Sequence, residues 1–317
     1  MVRVAVIGAG AFGREHARIY SEAAGAQLES VCDIDESRGR PVAERYGASF
    51  VQDYRELLGK VDAASLTVPT ESHATIAVDL LRSGVAVLVE KPIARTLEEA
   101  DRIIHAATQG EAVLQVGHLE RFNPAVMAAS RIVTHPRFFE AHRLSVFTPR
   151  SLDIDVVMDL MVHDIDVVLS FVNSEPAEVR AAGVPILTPR IDIANARIEF
   201  ANGCVANLTA SRVSAERVRK LRFFQPGEYV SIDYALKEAS IVSVKPRSGG
   251  RPEFESRPLP VEQSEPLRLE IESFLGAANG ARPRVTGEDG RRALALALDV
   301  TEKIREHAAR VGVPLTD

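Results

Sequence analysis

Hydrophobic positions in the first third of the chain come in short continuous runs rather than in alternation. "VRVAVIG", "QLESVCDI", "AASLTVP", "AVLVEKP" and "AVLQVGH" each have the pattern of a strand buried on both faces. Between them lie stretches with helical spacing: residues 13–24, "ESRGRPVAERYG", "SHATIAVDLLRSG" and "TLEEADRIIHAATQG". Strand alternating with helix predicts a parallel sheet with helices on both faces, an α/β Rossmann-type domain over residues 1–119. From about Arg121 the pattern changes. "AEVRAAGV", "DIANARIEFA", "GCVANLTASRV", "VRKLRFFQP", "EYVSIDYA" and "ASIVSVK" are strand-like, and "ANG" before Cys204 and "QPGE" before Tyr229 are hairpin signals. "RSGGRPEFESRP" is expected as a loop or sheet edge, and two helical stretches close the chain. Residues 120–317 are therefore expected to form an α+β domain on a large, mostly antiparallel open sheet, used for substrate binding and oligomerisation. An uncovered apolar face on such a sheet is normally buried by a partner, which predicts a homodimer or homotetramer through it.

Composition narrows the partners. The 317 residues are 46% hydrophobic and 26% charged, with a formal net charge of -6. No Lys/Arg cluster resembles a nucleic-acid footprint, so nucleic acid is not an expected partner. The two cysteines, Cys32 and Cys204, lie far apart in apolar runs. They are expected as buried free thiols of a cytoplasmic protein, and no CxxC or Cys/His spacing suggests a metal site. The apolar run at the N-terminus is too short to span a membrane and flows directly into a glycine motif, so it is read as a buried strand.

That motif is G-x-G-x-x-G at Gly8, Gly10 and Gly13, with Ala11 and Phe12 inside it, following a strand and opening a helix. Gly8 permits the tight turn, Gly10 lets the backbone approach a pyrophosphate, and Gly13 lets helix and strand pack closely. The free N–H groups of the helix start would face the phosphates. Asp33 ends the next strand 33 − 13 = 20 residues beyond the last glycine. It would accept hydrogen bonds from the adenosine ribose, which favours NAD, while nearby Arg38 leaves NADP open.

Two further stretches carry chemistry. "DVVMDLMVHDIDVVLSF" is apolar around most of a helix, yet at about 100° per residue it puts Asp155, Asp159, His163 and Asp166 on one stripe. That stripe is either a structural network around His163 or an acid/base site. In "VLVEKPIA", Glu90 and Lys91 end an apolar strand, where the ligand crevice of an open parallel sheet lies; a surface pair is the alternative.

With "VIGAGAFGREHARIY", "CDID", "TVPTESHATIA", "VEKPIA", "VGHLERFNPAV", "DLMVHDID" and "GEDGRRALALAL" in order, the whole chain resembles the Gfo/Idh/MocA family. The resemblance implies a Rossmann domain joined to an open-sheet domain, and NAD(P)-dependent oxidation or reduction of a sugar or cyclitol ring carbon. It implies Lys91 as the catalytic lysine and Asp159 and His163 as the family's D-x-x-x-H pair. Within the family, "VGHLERFNPAV" and "FTPRSLDIDVVMDLMVHDIDVVLSF" are most similar to the nucleotide-sugar branch. Its UDP-N-acetylglucosamine 3-dehydrogenases oxidise the 3-hydroxyl and supply a 3-keto sugar for amination in lipid A biosynthesis. Asp155-Val156-Val157 and Met161 depart from the glycines of many relatives, which bears on substrate preference. A free-sugar or inositol dehydrogenase is the alternative within the family, and a non-catalytic dinucleotide-sensing regulator is the alternative outside it.

The proposed chemistry follows. His163, with an unperturbed pKa of about 6.5, takes the hydroxyl proton while Lys91 polarises the oxygen; a buried lysine could exchange roles with it. Asp159 binds a neighbouring hydroxyl or orients the imidazole, Asp155 is expected to contact substrate at the start of the helix, and no metal is needed. Secondary candidates are Pro69, Thr70, His73 and Glu90 near the cofactor, and Arg121, Asn123 and Arg150 toward the sugar or diphosphate. Arg143 and Thr148 join the diphosphate candidates, and His118 is expected at a strand end beside the cofactor.

Overall fold

The computed structural model describes residues 1–148, 154–245 and 252–315. The chain forms two compact units, Met1–Leu119 with Glu265–Leu294, and Glu120–Ser264 with Ala295–Asp317.

The first unit opens with β1 (Val2–Ile7), α1 (Ala11–Glu22), β2 (Ala26–Cys32), α2 (Glu36–Arg45) and β3 (Ser49–Val51). It continues with β4 (Ala63–Leu66), α3 (Thr70–Arg82), β5 (Ala86–Glu90), α4 (Leu97–Gln109) and β6 (Leu114–Gly117). The six strands form one parallel sheet in the order β3-β2-β1-β4-β5-β6. This is the doubly wound Rossmann order, with its topological switch between β1 and β4. The runs are apolar because both faces are covered: all four residues of β4 are buried, and so are five of the six in β1. Side-chain caps start two of the helices. Asp35 accepts from the Ser37 amide before α2, and Thr96 accepts from the Glu99 amide before α4.

The second unit holds α5 (Pro124–Ser130), β7 (Phe138–Leu144), a π-helical turn (Val157–Met161) running into α6 (Val162–Val172), and β8 (Pro176–Val184). Then come β9 (Ile193–Phe200), β10 (Val205–Ser211), β11 (Val218–Gln225), β12 (Glu228–Asp233), β13 (Glu238–Lys245) and β14 (Glu253–Pro258). Eight strands pair in the order β14-β13-β12-β11-β7-β10-β9-β8. All neighbours are antiparallel except the β7–β10 pair. The turns fall where glycine supplies a left-handed backbone, at Gly203 (φ +81°) between β9 and β10 and at Gly227 (φ +75°) between β11 and β12. One sheet face is buried beneath α6, where Phe139, Phe171 and Phe223 meet with ring centroids 5.7–6.4 Å apart.

The other face is only partly the apolar one expected. Register aligns Arg180, Arg197, Asn207, Glu140, Arg222, Ser231 and Ser240 in one polar row. The next row on the same face is apolar, with Val205, Phe138, Phe224, Tyr229 and Val242 side by side, none of them fully buried. Two strands were also not expected: β7, in which charged residues interrupt "RFFEAHRL", and the three-residue β3.

The last elements are α7 (Pro266–Ala278) and α8 (Gly287–Val311). Contrary to a simple division at residue 119/120, residues 265–294 complete the first unit. Ile271 and Phe274 are fully buried in the same core cluster as Val4, Val6, Ile19 and Leu88. The amide of Val116 donates to the Val285 carbonyl (3.1 Å), and Gln115 Nε2 donates to the Glu270 carbonyl (3.1 Å). Both cysteines are buried and free, and burial pushes the thiols up, to about 12 at Cys32 and about 11 at Cys204. Among the described residues no helix is long and apolar enough to cross a membrane. Phe274→Ala should destabilise the protein by about 3–5 kcal/mol in a denaturant titration, since it empties a site in the core of the first unit. A loss below about 1 kcal/mol would contradict that placement.

Candidate active site

β1 runs straight into the glycine turn, and the three glycines there answer to different neighbours. A Cβ on Gly8 (φ +99°) would lie 2.8 Å from the Thr67 carbonyl carbon, and one on Gly13 only 1.8 Å from the Gly8 oxygen. These two are demanded by packing inside the protein. At Gly10 a Cβ would meet nothing within 4 Å, so the space it leaves open lies outside the chain. Gly10 is also the N-cap of α1; it offers no side-chain cap, and the first turn carries no acidic residue. Amides at Ala11, Phe12 and Gly13 are thus suited to an anion. Thr67, which sequence reasoning missed, locks the turn by donating its hydroxyl to Gly8 O (2.6 Å).

Asp33 is buried and faces the same turn. Its Oδ2 accepts from the Ala9 amide (2.7 Å) and its Oδ1 from the Asp35 amide (2.9 Å). Each oxygen keeps a second lone pair, so the carboxylate that braces the loop can still accept from ribose hydroxyls. A cleft of ≈ 740 Å³ opens here, lined by Gly8, Gly10, Asp33, Ile34, Arg38, Thr67, Val68 and Pro69 among others. Arg38 is exposed, its guanidinium 3.5 Å from Asp35 Oδ2. The residues present fit a dinucleotide: an uncapped helix start, an open glycine and a carboxylate at the end of β2.

Two expected cofactor residues turn inward instead. His73 is fully buried, with Nδ1 3.1 Å from the Pro92 oxygen and Nε2 3.0 Å from the Val68 oxygen. Burial lowers its pKa, so the neutral ring has one N–H and donates to one carbonyl at a time. It joins the loop after β4 to the loop after β5 and does not line the cleft. The Glu90 carboxylate lies 3.2 Å from His16 Nε2 and packs on Gly117, where a Cβ would fall 3.0 Å from its Oε1. Lys91 follows it, half-buried, with a cis peptide to Pro92; Thr70 begins α3.

In the second unit the polar stripe divides. Asp155 caps the helix start, its Oδ1 accepting from the Val157 (2.9 Å) and Met158 (3.0 Å) amides. The wide turn over Val157–Met161 breaks the assumed 100° spacing; such single π turns often accompany functional sites. Asp159 and His163 stay half-exposed on it and after it. Asp166 is buried, with Arg121 at 3.5 Å.

Two expected ligand-binding side chains are already used. Asn123 caps α5 through the Ala125 amide (3.1 Å) and donates to the Tyr234 carbonyl (3.0 Å), buried throughout. Arg143 is buried and grips Asp164 with two bonds (2.7 and 2.9 Å), reaches Glu120 (2.9 Å), and lies over the Tyr234 ring. These carboxylates hold its pKa well above the ordinary arginine value despite burial. It is a structural cation, not a diphosphate ligand. Arg150 lies outside the described residues.

Residues 2–118 match the oxidoreductase family with an NAD-binding Rossmann fold, and residues 125–225 match the GFO/IDH/MocA C-terminal domain. The chain belongs to the Gfo/Idh/MocA oxidoreductases. Among relatives in this family, the UDP-N-acetylglucosamine 3-dehydrogenase of Acidithiobacillus ferrooxidans is 40% identical over 94% of this chain and 96% of its own. A solved structure of that enzyme matches with a TM-score of 0.90 at 38% identity, covering 96% of this chain and 98% of that one. Inositol 2-dehydrogenase 1 of Saccharopolyspora erythraea is 29% identical over 100% of this chain and 97% of its own.

Gly10→Val should keep a near-normal melting temperature and weaken NADH binding, read by nucleotide fluorescence, by roughly tenfold or more. Gly13→Val, which must displace Gly8, should lose both. Arg143→Leu should cost about 3–5 kcal/mol by denaturant titration, because Asp164 and Glu120 lose their buried counter-ion. An unchanged midpoint would contradict that account of Arg143.

Proposed function

We propose that this protein is an NAD-dependent dehydrogenase that oxidises the 3-hydroxyl of a UDP-N-acetylhexosamine, with UDP-N-acetylglucosamine the foremost substrate. The observation that carries this is the 40% identity, over 94% of the chain, to a UDP-N-acetylglucosamine 3-dehydrogenase. Lys91, Asp159 and His163 are all present, and a regulator that merely senses a dinucleotide would need none of them.

Bound NAD supplies the hydride acceptor. His163 takes the hydroxyl proton as the carbon loses its hydride, and the ammonium of Lys91 donates to the same oxygen as negative charge develops. Asp159 holds the imidazole or a neighbouring hydroxyl in place. We further propose a cytoplasmic enzyme that forms a homodimer or homotetramer through the eight-stranded sheet. Its 3-keto product would then serve amination for lipid A. The polar row on that sheet would meet its partner through hydrogen bonds and ion pairs.

The test is a panel of UDP-N-acetylglucosamine, free sugars and inositols with NAD or NADP, followed by absorbance of reduced cofactor. An aminotransferase and glutamate would draw off the ketone. Reduction of NAD with the UDP-sugar is expected; reduction with an inositol alone would replace this reading by that of a polyol dehydrogenase. Lys91→Met and His163→Ala should each lower kcat by roughly a hundredfold or more while NADH binding stays within about twofold. Near-normal turnover in both would remove these residues from the chemistry.

A further inference from the structure

Beneath the last residue of β5 the first unit buries a group of side chains that the mechanism does not use. His16 from α1, Glu90 from β5 and Glu270 from α7 bring ligand-type atoms within 4.8 Å of one another. His16 and Glu270 are completely buried, and among the described residues neither Glu270 oxygen has a hydrogen-bond donor. The surroundings are fixed. Tyr20 Oη lies 2.7 Å from Ser65 Oγ, which in turn lies 3.1 Å from His16 Nδ1, while His16 Nε2 is 3.2 Å from Glu90 Oε1. From the β6 side Gln115 holds the α7 backbone, and its own oxygen accepts from the Ser273 hydroxyl (3.2 Å). Lys91 is next to Glu90 in the chain, and Arg268 on α7 is engaged at the surface by Glu22 and Glu265.

One arrangement of protons accounts for this set. If Tyr20 donates to Ser65 and Ser65 to Nδ1, the imidazole carries its hydrogen on Nε2, the nitrogen 3.2 Å from Glu90 Oε1. Two ionised carboxylates so close in a dry interior would repel strongly. A proton kept on Glu270 removes the repulsion and provides the missing donor toward Glu90. We propose that Glu270, Glu90 and His16 form a proton-sharing cluster that clamps the end of β5, making Glu270 a positioning residue for Lys91. This rests on the catalytic role given to Lys91 above. Burial and the neighbouring Glu90 carboxylate push the Glu270 carboxyl well above the usual carboxylate range, in agreement with the geometry.

The direction of the pH effect follows. The folded protein keeps the Glu270 proton across a range where the unfolded chain releases it, so folding takes up a proton. That contribution to stability is full at acid pH and is lost as pH rises toward the folded pKa. Glu270→Gln, which cannot ionise, should gain melting temperature over wild type progressively from about pH 5 to about pH 9. In infrared difference spectra at neutral pH, wild type minus Glu270→Gln should show the carbonyl stretch of a protonated acid. With UDP-N-acetylglucosamine and NAD, Glu270→Leu should lose roughly tenfold to a hundredfold in kcat with little change in KM for NAD. Glu270→Gln, which retains a donor, should recover most of it.

A pH-independent melting difference together with no acid band would overturn the proposal, even if Glu270→Leu fails to fold. So would a rise in melting temperature on adding zinc or manganese that vanishes in Glu270→Gln, because the cluster would then hold a metal. Wild-type kcat in Glu270→Leu alongside an inactive Lys91→Met would sink this inference alone. Normal turnover in Lys91→Met would sink the catalytic reading, leaving the infrared and melting results to judge the cluster.

Discussion

The contact on which the rest of the first unit depends is that of Gly13 with the Gly8 carbonyl, where a methyl group would sit 1.8 Å from the oxygen. Such closeness lets α1 start immediately at the end of β1, so its first-turn amides stand over the switch point of the sheet. It also sets the rotation of α1. With Gly13 against the strand, His16, Ala17 and Tyr20 fall on the buried face three to seven residues later. Thr67 binds the same turn from the neighbouring strand, and Asp33 does so from the other side. One tight contact therefore places both the cofactor cradle and the buried chain Tyr20–Ser65–His16.

In the second unit a charge plays the comparable role. Arg143 on β7, the strand in parallel register with β10, is buried with Asp164, Glu120 and Tyr234. A buried guanidinium is tolerable only when its donors are met, and here two carboxylates and an aromatic face meet them. Asp164 lies on α6 one residue after His163, so the ion pair ties that helix to the sheet and limits its rotation. The polar stripe that suggested an active site is in part this anchoring: Asp155 caps, Asp166 faces Arg121, and Asp159 and His163 are left half-exposed.

Local chemistry made much of this legible. Continuous apolar runs, the glycine turn with Asp33 and the two glycine hairpins are signals carried by neighbouring residues, and they appear in the fold. The features that escaped are set by distant partners. β7 reads as polar because Arg143 is buried by residues 21 and 23 positions away. Asn123 and Arg143 looked like ligands of a sugar or phosphate because a buried polar side chain and a free one are the same letter. The π turn escaped because a 100° spacing presupposes the α-helix it was used to find. Nothing local in "EPLRLEIESFLG" announces that it completes the first domain, and Phe274 and Glu270 acquire that role only through packing.

The adjacent residues Glu90 and Lys91 then divide their work for a physical reason. Glu90 ends β5 with its carboxylate against His16 and Gly117, where a larger residue than glycine would press on it. An acid held inside the fold steadies the backbone of the next residue without offering its charge to a ligand. A lysine following an anchored residue loses less freedom on engaging an oxygen than one on a loose loop, and its position then depends on whatever holds Glu90. The groups beside Glu90 come from α1 and, across some 180 residues of sequence, from α7. The return of the chain to the first unit is therefore more than a cover for its apolar core: it brings the Glu270 carboxyl into the cluster at the end of β5.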